Sequence, residues 1–132
     1  MSDFSVYSAT QFANWMSQGT VNTPPTDLYV AVFDDTNTER SGDFVNGRVQ
    51  TTTGTDWNII NTNDFENANL IDFGEASTDV NNLQDIALFD AASGGNEIAR
   101  YQLADALFDV SEGTILQYAA GEIDFDVVDR TE

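Results

Sequence analysis

The chain has 132 residues, of which 4 are basic and 23 acidic, giving a formal charge of −19; hydrophobic residues make up 41%, and His and Cys are absent. A chain of this length can enclose one hydrophobic core, and it is too apolar for a disordered acidic tail, so a single domain over residues 1–132 is expected. The missing residue types exclude disulfides, thiolate metal sites, thiol nucleophiles and histidine bases, and the absence of Lys removes Schiff-base chemistry and the P-loop.

In chain order, the first expected element is a helix. Ser8-Ala9-Thr10-Gln11 has the spacing of a capping box and Gly19 stands where a C-terminal cap belongs, so the helix is placed at about residues 9–18. Ala9, Phe12, Ala13 and Met16 recur at helical spacing, and the stripe formed with Trp15 is expected to face the core; an assembly surface is the alternative.

After Thr23-Pro24-Pro25, the continuous apolar run Leu28 to Phe33 predicts a strand buried on both faces or covered by the helix. Asp34 to Gly42 is turn-like, and Phe44-Val45 and Arg48 to Thr51 flank an Asn46-Gly47 turn signal. The stretch from Thr51 to Asn69 is hardest to read; Trp57 to Ile60 is expected to form a strand, with another over Asn69 to Phe73. Ile86 to Asp90 and Ile98 to Leu103 form a hairpin around Ala91-Ala92-Ser93-Gly94-Gly95-Asn96. Ile115 to Tyr118 is a further strand. The alternation from Glu122 to Val127 predicts a last one, with Ile123, Phe125 and Val127 inward and carboxylates outward. The sum is a mainly β chain: a single-domain antiparallel β-sandwich, jelly-roll-like, over about residues 27–128, with one short N-terminal α-helix.

The acids are scattered, with no block longer than Asp34-Asp35, which describes a charged coat. Such a coat repels itself at ordinary salt, whereas at ~1 M salt the Debye length falls to about 3 Å. Replacing every Lys by shorter charged residues also reduces exposed apolar stem where salt strengthens hydrophobic association. The composition therefore reads as halophilic. A surface of this charge repels phosphate, so no nucleic acid and no membrane is expected as a partner. No apolar run approaches the ~20 residues of a membrane span, and Met1-Ser2-Asp3 is acidic where a signal peptide is basic, so the chain is expected to be made soluble in the cytoplasm.

The remaining route to catalysis is a carboxylate pair, as in glycoside hydrolysis, but 23 acids make suggestive pairs inevitable. No catalytic residue, cofactor or metal site is assigned, and the chain is expected not to be an enzyme. Asp34-Asp35-Thr36-Asn37-Thr38-Glu39 alternates oxygen ligands as a calcium loop does, yet Arg40 stands where the EF-hand needs Gly, so a solvated turn is expected. Ser93-Gly94-Gly95-Asn96 joins two strands with no helix or Lys after it, which makes it a hairpin turn. Trp57 or tyrosines on a sheet face offer a platform for a cell-surface glycan as a further option.

The order of segments resembles a family of small virion structural proteins, often labelled tail fibre or minor structural proteins, from tailed viruses of actinobacteria and halophilic archaea. The matching features are the helix ending near Gly19, Pro25-x-x-Leu28 to Phe33, Ile86 through Asn96, and Gly113-Thr114 to Ala119-Ala120-Gly121 before the final strand. Between Arg40 and Ala68 the match is loose. The resemblance implies a non-enzymatic virion component whose partners are copies of itself and other virion proteins. Lacking repeats and heptads, it is expected to be a capsid surface decoration or turret subunit, with a tail-tip or tail-appendage subunit as the alternative. Uncharged gaps in the coat, where neighbours would meet, are Thr51 to Thr55 and Leu103 to Phe108.

Overall fold

The computed structural model describes residues 2–20, 22–61, 63–103 and 107–126, with the side chains of Ser2 and Asp3 excepted. In chain order the elements are β1 (Ser2–Phe4), α1 (Val6–Gln18), β2 (Asp27–Asp34), a short 3-10 turn (Ser41–Asp43), β3 (Val49–Thr52), β4 (Trp57–Ile59) and β5 (Asp64–Asn67). They continue with β6 (Ile71–Glu75), β7 (Val80–Phe89), β8 (Glu97–Gln102), β9 (Phe108–Val110), β10 (Ile115–Tyr118) and β11 (Asp124–Asp126). The chain is mainly β with antiparallel pairing and one N-terminal helix, as the sequence led one to expect.

The strands form one large sheet in the order β1-β8-β7-β2-β3, with β9 also pairing with β7, and two small sheets, β10-β6 and β11-β5-β4. One face of the large sheet contributes Val30, Val32, Leu83, Ile86, Leu88 and Ala99 to the main core. The small sheets close that core with Phe73, Leu116 and Phe125, joined by Ile123 from the loop before β11. Alternation sorts Ile123 and Phe125 inward and Glu122 and Asp126 outward, whereas Asp124, also expected outward, is half-buried. Phe125 stacks on Phe65 at 5.3 Å between centroids, and Trp57 meets both edge-on, so three aromatic rings lock the third sheet onto the core. Val127 lies outside the described residues.

Asn67 ties the end of β5 to the loop before β11. Its side chain is fully buried yet fully used: Nδ2 donates to the carbonyls of Asn69 and Ala119, both at 2.9 Å, and Oδ1 accepts from the Ile123 N–H at 2.9 Å.

Several expectations need correction. α1 begins at Val6, three residues early, because Ser5 is its N-cap: the Ser5 hydroxyl accepts from the Ser8 amide at 3.1 Å. The choice between two serines of the same spacing is made by β8, where the Ile98 carbonyl accepts from both the Ser5 N–H and the Ser8 Oγ. Gln11 reaches the Asn22 amide and takes no part in a capping box. Gly19 does close the helix in the left-handed conformation, at φ 68°. The expected core stripe is wrong: no residue of α1 is buried, and Phe12, Trp15 and Met16 all face solvent. The sheet also starts ahead of the expected residue 27, since β1 pairs with β8 at one edge. Phe44-Val45 and Val49–Thr52 do not pair with each other across Asn46-Gly47; Phe44 bridges to Ala76 and β3 pairs with β2.

Candidate functional site

β2 is buried on both faces, as predicted, but the helix is not what covers its outer side. On that side Ala31, Phe33, Ala87 and Phe89 form a second, smaller apolar patch. Phe33 and Phe89 stack at 6.0 Å with an interplanar angle of 16°. Two of the four cations close over them: the Arg100 guanidinium sits 4.1 Å from the Phe33 ring centroid and that of Arg48 sits 3.9 Å from Phe89.

Each guanidinium is also held edgewise. Arg48, whose side chain is 7% exposed, grips Glu39 with two hydrogen bonds of 2.7 and 2.9 Å, and its Nη1 donates to the carbonyls of Ala91 and Gly94 in the β7–β8 loop. Arg100 pairs with Glu97 at 2.5 Å and Asp85 at 3.3 Å, and donates to the Asn37 side chain. Arg40 bridges Asp43 at 2.6 Å and Asp34 at 3.4 Å. Arg130 lies outside the described residues. The hydrogen bond from Arg48 holds the Glu39 carboxyl below its ordinary range despite burial. At Asp34 burial pushes the carboxyl up, but hydrogen bonds from Thr36, Thr38 and Arg40 outweigh it and leave it lowered.

These clamps also explain the two loops that the sequence offered as sites. In the 34–39 loop, Asp34 is buried and its Oδ1 accepts from the Thr36 amide, the Thr36 hydroxyl and the Thr38 amide, so the carboxylate organises its own turn. The Ser93-to-Asn96 loop is the expected hairpin turn: Asp90 accepts from the Asn96 amide at 2.7 Å, and Arg48 grips it from the other side. Gly95 is required there, because at φ 75° an added Cβ would meet Ala91 Cβ and Asp90 Oδ1 at 2.6 Å.

A different electrostatic arrangement occupies β5 and β11. Their register sets Asp124 opposite Glu66 and Asp126 opposite Asp64, like charges face to face. Asp64 and Asp126 respond by sharing a hydrogen bond, which lowers the Asp64 carboxyl and raises that of Asp126. Among the described residues no group of three or more His, Cys, Asp or Glu side chains is placed to hold a metal ion.

The aromatic residues offered as a glycan platform are half-buried, and Trp57 lines an open groove with Leu28, Thr53, Asn58 and Ile59. Trp57 is packed on Phe65 and Phe125, its Nε1 donates to Thr51 at 2.9 Å, and Tyr7, Tyr29, Tyr101 and Tyr118 are all half-buried. Burial, with the charges of Glu122 and Tyr101, pushes the Tyr118 hydroxyl well above its ordinary value. Of the proposed uncharged gaps, Thr51 is buried while Thr52 to Thr55 are exposed. In the other, Leu103 is buried, residues 104–106 lie outside the described residues, and Leu107 is exposed. The aromatic side chains the fold does leave exposed are Phe4, Phe12 and Trp15. Arg48 and Arg100 are the residues that sequence reading missed, since their partners Glu39, Ala91, Gly94, Asp85 and Asn37 are remote in the chain.

Among the described residues, Arg40, Arg48 and Arg100 serve as clamps between loops and the large sheet. The family model described as Podophage GP4 fiber I protein gp80 matches residues 3–126, and the chain belongs to that family of virion fibre proteins. No curated protein matches it. The role is thus that of a structural component of the virion, in agreement with the resemblance already noted. No helix among the described residues is long and apolar enough to cross a membrane.

Proposed function

We propose that the chain is a repeating, non-enzymatic subunit of a virion surface appendage, built to work in concentrated salt. The observation that carries this reading is the family match, which spans nearly the whole chain and is described as a fibre protein. Its acid coat supports the second half: 23 carboxylates against 4 guanidiniums repel one another unless salt screens them. At least three of the four cations are spent inside ion-pair clamps, so the unpaired charge left on the surface is almost purely acidic. A tailed virus of a halophilic archaeon is the particle this composition suits. Its partners are copies of itself and neighbouring virion proteins.

A capsid decoration or turret subunit is the second reading, favoured by the absence of any repeat or heptad from which a long fibre would be built. Gold-labelled antibody against the chain, applied to intact virions, tests both. Label at the tail or its appendages is the expected result, label over capsid faces or vertices selects the second reading, and unlabelled particles overturn both.

A further inference from the structure

The helix α1 is inverted relative to a normal surface helix. Its polar side, with Tyr7, Ser8, Gln11 and Asn14, is the half-buried one, while Val6 (84% exposed), Phe12 (62%) and Met16 (68%) face outward with Ala9, Ala13, Thr10 and Ser17, and Trp15 (54%) stands at the margin against Phe12. Polar bonds hold it to its own subunit: Ser8 Oγ to the Ile98 carbonyl, Gln11 to the Asn22 amide, and the Tyr7 hydroxyl to Asn22 Nδ2. A 13-residue helix is marginal alone and draws most of its stability from burying an apolar face. Here the fold leaves that face unburied.

The second observation is one of charge. Residues 4–26 contain no charged side chain, a run of 23, whereas the next longest uncharged run in the chain is the 9 residues 113–121. A basic partner would be drawn to the carboxylate coat and would gain nothing from a neutral patch. A partner of the same sign needs one, because like charges brought together and desolvated cost several kcal/mol. The like-charged body that every copy is certain to meet in a repeating structure is another copy.

We propose that α1 is the contact between copies of this chain, packing its Phe12–Met16 face against α1 of a neighbour, with Ala9 and Ala13 letting the two backbones approach. This inference rests on the reading of the chain as a repeating virion subunit and names one surface through which two copies meet. A helix of 13 residues is about 20 Å long, so one such pair falls short of the ~1,200 Å² of a standard interface. The contact is therefore weak singly, extended by Phe4 and Val6, strengthened by concentrated salt, and consolidated by the other contacts of the assembled particle.

The full chain should be examined by analytical ultracentrifugation from micromolar to several hundred micromolar, at ~3 M and ~0.1 M KCl. The expected result is self-association at 3 M salt that F12E/M16E weakens by at least tenfold, while I59E, on an even more exposed apolar residue elsewhere, leaves it unchanged. Because the chain has no Cys, Ala9→Cys or Ala13→Cys provides a second readout that needs no disruption: either should form a disulfide-linked dimer on oxidation, and Thr55→Cys should not. A chain that stays monomeric at 3 M salt, an F12E/M16E variant that associates like the unsubstituted chain, or helix cysteines that fail to cross-link would overturn the proposal. Labelled virions that still incorporate F12E/M16E at the normal level would remove the contact while leaving the virion role intact; unlabelled virions would remove the role itself.

Discussion

Substituting Arg48 tests whether the scarce cations stabilise the fold. The guanidinium holds three segments that are remote in sequence: Glu39 beyond β2, its own position before β3, and the carbonyls of Ala91 and Gly94 in the β7–β8 loop, with Phe89 beneath it. Hydrogen bonds to a charged group contribute about 1.5–3 kcal/mol each in favourable cases, and breaking a buried pair costs about 3–5. Glu39 is 29% exposed and can rehydrate when abandoned, so the lower end applies. Arg48→Ala is expected to cost about 3 kcal/mol, and Arg48→Lys about 1–2, since an ammonium cannot span a carboxylate and two carbonyls at once. For a chain of this size each kcal/mol moves Tm by about 3–5 °C, so Arg48→Ala should lower it by roughly 10–15 °C. Urea denaturation and calorimetry at ~0.5 M and ~3 M salt provide the assay. Because the Arg48 side chain is only 7% exposed, the loss should persist at 3 M salt, where surface pairs are screened. An Arg48→Lys variant within 0.5 kcal/mol of the unsubstituted chain, or a deficit that vanishes at high salt, would refute the clamp.

Other consequences can be checked on the same material. Asn67→Ala strands the Ile123 amide and the carbonyls of Asn69 and Ala119, and should cost about 3–5 kcal/mol in urea denaturation. The raised Asp126 carboxyl favours the fold when protonated, a contribution present at low pH and lost as pH rises through its folded value; Glu39 and Asp34, held low, contribute above the ordinary carboxylate range and lose it as pH falls. Asp126→Asn keeps a donor toward Asp64 without the second charge, so at neutral pH and ~0.2 M salt Tm should rise, with the gain shrinking at 3 M. A lower Tm would contradict the opposed-carboxylate account. Melting scans of the unsubstituted chain should show Tm climbing steadily from ~0.1 to ~3 M salt; a flat profile would contradict the halophilic reading.

The legible parts of this fold were those in which one residue pattern has one cheap solution. Leu28 to Phe33 is a doubly buried strand because nothing else accommodates six consecutive apolar residues between Pro25 and Asp34. The Asp90-to-Asn96 hairpin is specified by its glycines, and the alternation before Val127 by its period of two. β5 (Asp64–Asn67) was unreadable, since Asp64 and Glu66 look like loop residues, and only pairing with β4 and β11 makes Asp-Phe-Glu-Asn a strand. β1, three residues long, exists because β8 presents an edge to it.

By itself the sequence determined what depends on composition and local order: a mainly β chain with one helix, an acid coat, no disulfides and no thiol or imidazole chemistry. Only the tertiary structure decided how scarce or ambiguous residues are used. Periodicity shows that Phe12, Trp15 and Met16 share a side of α1 but not whether that side turns inward, because orientation is set by what the rest of the chain offers. Here β8 offers a carbonyl at Ile98, and the polar side takes it. For the same reason a count of four arginines could not reveal that two of them close over stacked phenylalanines, an arrangement that requires two strands and a distant turn to arrive together.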